Sequence, residues 1–224
     1  MLDVLYEDNH LLAVNKPAML PTMGVAEDRP SLLTLAKEHL RRKYAKPGNV
    51  YLGIVSRLDA PVTGVVLMAR TSKAAARLTA MFREREVEKI YWALVEGRVD
   101  PPSGQLTHYL RKDERHRQVH VTGQNASGAQ RAELRYRVIR RGKNFVPGTL
   151  LEIQLLTGRK HQIRVQLADA GWPVIGDRKY GSVRKIAHGI ALHSRRLAFE
   201  HPVRKELLTL EAPPPSAWLT RPKG

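Results

Sequence analysis

Two stretches of this chain are apolar at consecutive positions rather than at every second one. "VTGVVLMA", residues 62–69, follows a turn at Ala60 and Pro61, and "KIYWALVEG", residues 89–97, is apolar on both alternating faces apart from its ends. A strand with one wet face alternates apolar and polar residues, whereas one that is apolar throughout is covered on both faces. The chain must therefore build a sheet with material packed on each side. Val62–Ala69 is expected as a buried strand and Lys89–Gly97 as a central one, with Tyr91 directed into the body of the domain or a cleft. At 224 residues, 42% of them hydrophobic, the chain is long enough to bury such a core without disulfides.

Around these strands the pattern alternates. "DVLYED" and "LLAVNKP" read as short strands joined by a turn over Glu7–His10, with Pro17 ending the second. Residues 19–30 read as loop. Ser31 is expected to cap a helix with Leu32, Leu35, Ala36 and Leu40 at helical spacing. Ser72 is expected to cap a second helix with Ala75, Leu78, Met81 and Phe82 inward and Arg77, Arg83 and Arg85 left to solvent or phosphate. The basic stretch "HYLRKDERHRQVHV" predicts a protruding hairpin or loop pair between Pro101 and Gly128. "AELRYRVIRR" and "TLLEIQLLT" predict strands. "GRKHQIRVQLADAG" predicts a strand-to-helix passage with Ile163, Leu167 and Ala170 on one stripe and Gly171 at the C-cap. "GIALHSRRLAFEHP" and "ELLTLEAP" close the pattern as strands. With no repeat or low-complexity block, one α+β domain over residues 1–212 and a Pro-rich tail over 213–224 is the expected organisation.

Charge narrows the partner. Lys and Arg number 38 against 21 Asp and Glu, a formal +17. A polyanion is the natural partner of such a surface, because each neutralised phosphate releases condensed counterions. No basic amphipathic helix with a broad apolar face stands out, so nucleic acid is preferred over a membrane surface. The absence of cysteine excludes disulfides, thiolate zinc sites and thiol nucleophiles, and a reducing compartment is the simpler reading. The start lacks the basic-then-apolar pattern of a secretory signal. The expected location is the cytoplasm.

Three features could carry chemistry. Asp59 follows Arg57 at the lip of the buried strand, Tyr91 lies in a two-sided strand, and Arg159, Lys160, His161 and Arg164 cluster where a strand meets a helix. Taken singly, Asp59 also fits a turn aspartate before Pro61, and Tyr91 a core tyrosine with its hydroxyl satisfied. The "TGRKH" cluster fits either a solvated helix start or an anion site. An acid, a phenol and a basic cluster would suit work on an RNA, but these patterns name no reaction.

The chain resembles the RluA-type pseudouridine synthase family in five ordered segments: "NKP", "RLD" followed by "TGVVLMA", "KIYWALVEG", "LTGRKHQIRVQLADAGWPVIGDRKYG" and "LHSRRLAFEHP". The resemblance implies a mixed, largely antiparallel central sheet with flanking helices and a catalytic cleft. It implies an isomerase that breaks the uridine N1–C1′ bond, turns the uracil and rejoins it through C5, with no cofactor or metal. Asp59 matches the family's catalytic aspartate, which either attacks the sugar or ring covalently or removes a ribose proton so that a glycal-like intermediate forms. Tyr91 matches the tyrosine that stacks on the uracil and is a candidate base for the C5 proton. Arg164 matches the arginine that pairs with the aspartate, and Ile163 the apolar residue that packs on the base. Arg57 matches the arginine that occupies the place of the flipped nucleotide. Arg159, Lys160 and His161 are candidate RNA contacts, Lys16 and Pro17 are expected to shape the floor of the site, and His193 is taken as structural.

These roles have physical reasons of their own. Desolvation would raise the pKa of a carboxylate in a dry pocket, and a paired guanidinium opposes that shift. A base leaving its stack costs a few kcal/mol, which an aromatic face and a substitute side chain can offset. A neutral tyrosine, with an ordinary pKa of about 10, suits stacking better than proton abstraction.

Departures from the family pattern fall beside the aspartate and at one position of the "TGRKHQIR" segment's continuation. Ser56 stands where a histidine is common, Ala60 where an arginine is, Val62 and Thr63 fill the turn before Gly64, and Gln166 replaces a frequent histidine. They bear on which RNA is accepted rather than on the reaction. The pattern starts directly with the catalytic domain, without a separate N-terminal RNA-binding domain, so RNA recognition is expected from the domain itself, through a finger spanning His108–His120. A monomer acting on transfer RNA or large-subunit ribosomal RNA is the expected state. The competing reading is a catalytically inactive RNA-binding or ribosome-assembly protein that keeps the fold. A carboxylate glycosidase would want a second acid at a defined separation, and none lies near these motifs.

Overall fold

The computed structural model describes residues 2–26, 29–45, 47–141 and 148–218. The elements run β1 (Val4–Glu7), β2 (Leu11–Lys16), α1 (Leu32–Lys43), β3 (Gly53–Ile54), β4 (Thr63–Ala69), α2 (Ser72–Glu84), β5 (Glu88–Val95), β6 (Ser103–Asp113), β7 (Gln118–Thr122), β8 (Gln130–Arg141), β9 (Thr149–Leu155), α3 (Gln162–Asp169), β10 (Leu192–Glu200) and β11 (Leu207–Glu211). Every strand pairing with a described register is antiparallel. With three α-helices beside the strands among the described residues, this is the expected α+β class. No helix among the described residues is long and apolar enough to cross a membrane.

The chain forms two compact units, each assembled from separated stretches. The first takes residues 1–88 and 194–213, and the second takes 89–193 and 214–224.

In the first unit β4 is buried at all seven positions, and the reason is visible in how its neighbours alternate. Leu11, Ala13, Val65, Leu67 and Ala69 share one face, where they pack with Ala74 and Leu78 of α2. Leu12, Val14, Val66 and Met68 share the other, where Leu32, Ala36 and Leu40 of α1 cover them. Successive side chains of a strand point to opposite faces, so a helix on each side requires the uninterrupted apolar run. Leu35 departs from the expected stripe and is exposed, since it lies on the flank of the line through Leu32, Ala36 and Leu40. The cap of α2 is also one residue earlier than Ser72: Thr71 is extended and its hydroxyl accepts the Ala74 N–H. Arg77 is exposed as expected, and one N–H of its guanidinium donates to the Pro202 carbonyl at 2.6 Å.

Gly64 is fixed by close approach. Its φ is +108°, and a Cβ there would lie 2.2 Å from the backbone oxygen of Ser194 in β10. Only glycine lets the two backbones meet so closely.

In the second unit the order β5-β9-β8-β6-β7 makes β7 the edge. The expected hairpin is therefore β6 and β7, with β6 continuing the sheet through its pairing to β8. A short edge strand with polar Gln118, His120 and Thr122 resists edge-to-edge pairing. Helix α3 departs from the single stripe expected of it: Gln162 through Leu167 are all buried, and Ala170 is the C-cap, with Gly171 following at φ +82°. Within the Pro-rich segment, Ser216–Trp218 forms a 3-10 turn whose Trp218 is buried edge-on to His193 at 6.0 Å. Residues 219–224 of the expected tail lie outside the described residues.

Candidate functional site

Asp59 stands in the loop between β3 and β4, and that loop is tied on both sides of it. The Ser56 hydroxyl accepts the Leu67 N–H of β4 at 2.9 Å, extending the grip of β3 on β4 by a side chain. At Leu58 both backbone groups bond the Thr22 hydroxyl, the N–H at 3.2 Å and the carbonyl at 2.8 Å. The Asp59 carbonyl accepts the Val62 N–H at 3.0 Å, closing a turn through Ala60 and Pro61. The Ala60 carbonyl accepts from Lys16 Nζ at 2.9 Å. Asp59 is thus half-buried on a braced turn, with Arg57 exposed two residues before it.

Lys16 is wholly buried at the end of β2. Its ammonium donates to the carbonyls of Pro17 (2.9 Å), Leu20 (2.8 Å) and Ala60 (2.9 Å), three acceptors for three N–H bonds. Burial pulls its pKa down to about 8, and the negative charge of Asp59 opposes that fall. Lys16 therefore carries its charge at neutral pH and links the "NKP" and "RLD" segments.

In the second unit Tyr91 is half-buried on β5, opposite Ile153 of β9. Ile163 and Arg164 are buried on α3. Arg164 forms a two-pronged pair with buried Asp177, Nε to Oδ2 at 2.6 Å and an NH2 to Oδ1 at 2.9 Å, and its guanidinium lies over the Tyr180 ring at 4.9 Å. His161 enters α3 in a left-handed conformation, φ 53°, and its Nδ1 bonds the Tyr180 hydroxyl at 2.6 Å. Gln162 orders the turn before the helix: its Oε1 accepts from the Thr157 hydroxyl (2.8 Å) and the Arg159 N–H (2.9 Å). That amide N–H is therefore engaged, and the anion-site reading of "TGRKH" rests on the side chains rather than on the Arg159 backbone.

Those side chains have company. Arg159 and Lys160 border a groove of about 320 Å³ together with Arg111 and Lys112 of β6 and Glu114 of the hairpin turn. Buried Leu110 and Val119 also line it. Two basic clusters that lie nearly fifty residues apart in sequence thus meet in one place.

A family model described as RNA pseudouridylate synthase matches residues 10–169. The chain belongs to this family. Its relatives include a dual-specificity RNA pseudouridine synthase RluA of Pasteurella multocida, 30% identical, with 95% of this chain and 93% of the relative covered. A ribosomal large subunit pseudouridine synthase C of Vibrio cholerae is 35% identical over 94% of this chain and 65% of its own length. An uncharacterized RNA pseudouridine synthase of Synechocystis is 33% identical over 96% and 66%. The chain thus spans about two thirds of the length of the last two. Among solved structures, human RNA pseudouridylate synthase domain containing 4 has a TM-score of 0.79 at 24% identity, with 97% of this chain and 90% of that one covered, which establishes the fold.

In this chain the matched span includes Asp59, Tyr91 and Arg164, whereas Asp177 and Tyr180 lie beyond it. The fourth segment of the resemblance ends in "GDRKYG", but nothing in the local sequence assigns a task to its aspartate or tyrosine. The available signal is the reappearance of an acid and an aromatic a short distance after the basic "TGRKH" stretch and its helix, and it does not reveal which arginine they serve.

Proposed function

We propose that the chain is an RNA pseudouridine synthase of the RluA type, acting on one uridine of a structured transfer or large-subunit ribosomal RNA. Its support is the bracing of Asp59: a carboxylate meant only for a surface turn has no need of ties at Ser56, Leu58 and Ala60. Asp59, Tyr91 and Arg164 form the catalytic set. In the reaction C1′ loses its bond to N1 and gains one to C5, the C5 proton passes to solvent, and N1 takes up a proton. No net oxidation occurs and no second substrate is consumed. Arg57, Ile163, His161, Arg159 and Lys160 are the substrate-binding set, Arg57 filling the stack left by the base and Ile163 packing on it.

The test is tritium release from RNA labelled at uridine C5, with purified protein and an Asp59→Ala control. Release by the native chain and a loss of at least roughly a thousandfold in the variant are expected, as for removal of a reacting group. Tight RNA binding without release from any cellular RNA would instead mark a non-catalytic RNA-binding protein.

A further inference from the structure

The turn at 177–180 holds two things at once. Asp177 takes the edge of the Arg164 guanidinium through two hydrogen bonds, and the Tyr180 ring takes its face. From the same turn, the Tyr180 hydroxyl accepts the Val119 N–H of β7 at 3.1 Å, and Lys179 Nζ donates to the Arg117 carbonyl at 2.6 Å. The hairpin also rests on Tyr180 through apolar contact: Leu110, Val119, Ala132 and Val165 of α3 form a buried cluster, and Tyr180 and Val121 pack against it. The hairpin that presents Arg111 and Lys112 and the helix that presents Arg164 therefore both rest on this turn.

We propose that Tyr180 is a positioning residue which couples engagement of RNA by the β6–β7 hairpin to the orientation of Arg164, its hydroxyl seating the hairpin and its ring seating the guanidinium. The proposal rests on the assignment of RNA as substrate. A rigid aromatic with one polar atom suits this double duty, since ring and hydroxyl can be removed separately.

Tyr180→Phe keeps the ring and deletes the hydroxyl, whereas Tyr180→Leu deletes the aromatic face as well. The same tritiated cellular RNA serves for turnover and for filter binding, and hydrogen exchange at the Val119 amide reports the seat of the hairpin. Tyr180→Phe removes the hydroxyl's bonds to both the Val119 N–H and His161 Nδ1 and is expected to raise Kd and KM roughly three- to tenfold, with kcat within about twofold of native. Its Val119 amide exchanges faster. Tyr180→Leu is expected to add a fall in kcat of at least about tenfold. Unchanged Kd and unchanged Val119 exchange in Tyr180→Phe would overturn the coupling, as would equal losses of kcat in both variants. Kd and exchange are read without turnover, so a native chain that binds RNA but releases no tritium defeats the isomerase reading while leaving the hairpin's seat under test. A native chain that binds no RNA overturns both.

Discussion

The three N–H bonds of the Lys16 ammonium meet three carbonyl oxygens, one of them on the residue after Asp59. Lys16→Met keeps the length of the side chain but leaves those carbonyls without a donor. The expected loss is at least about 2 kcal/mol of stability in urea unfolding. Tritium release should also fall at least roughly tenfold, because the turn bearing Asp59 loses one tether. Native stability and turnover in that variant would show that the ammonium is dispensable. A second residue predicts a pH dependence. Burial alone would raise the Glu7 carboxyl, but hydrogen bonds from Tyr44, His39 and Lys43 outweigh it and bring its pKa down to about 2. The folded state then binds fewer protons than the unfolded one between about pH 4.5 and 2. The stability Glu7 contributes is complete above that window and lost as pH falls through it. Urea titrations of Glu7→Gln should show a deficit against native protein at pH 6 that shrinks towards pH 2; a constant deficit would count against the pairing. Neither lysine nor glutamate announces this in the sequence. Lys16 was expected with Pro17 at the floor of the site, but its acceptors were not foreseeable, since they arrive from residues 17–20 and 60 only once the loops close over it. Asp59 was legible because its neighbours form a motif, not because its own surroundings could be foreseen.

At the scale of elements, the pattern was legible where the buried residues are apolar and least legible where they are polar. Strand β4 and helix α1 follow from apolar spacing, because each answers to a simple geometry of two faces or one stripe. Helix α3 does not, since Gln162, Arg164 and Gln166 are buried and satisfied by partners distant in sequence. Gln166, the departure noted beside the family pattern, donates to the Leu106 and Ala132 carbonyls at 3.2 Å each and bonds His108 Nδ1 at 3.1 Å. It fastens the helix to β6 and β8, a task that no local pattern could disclose. The hairpin itself was visible as a basic block, though its groove with Arg159 and Lys160 was not. Replacing Arg111, Lys112, Arg115 and Arg117 together with alanine should raise KM for RNA. The slope of log Kd against log salt should become shallower by about one for each phosphate that the hairpin ceases to neutralise. Unaltered RNA binding at every salt concentration would remove the hairpin from the interface.

At the scale of the molecule, the first unit draws on both ends of the described chain. Leu197, Phe199, Leu210 and Ala212 complete the core cluster that Leu11, Val65 and Leu78 begin. A chain ended at residue 193 should therefore bind an apolar dye and show no cooperative unfolding of its first unit, whereas the full chain shows both properties reversed. Cooperative melting of that shorter chain would mean that β1–β4, α1 and α2 suffice alone. Synthesis gives the same arrangement a direction in time. Translation proceeds from β1 onward, and residues 89–193 must all emerge before Ser194–Pro213 can follow. The scaffold of Asp59 is thus started first and finished near the end, and a nascent chain interrupted anywhere in between carries Asp59 on an unclosed core.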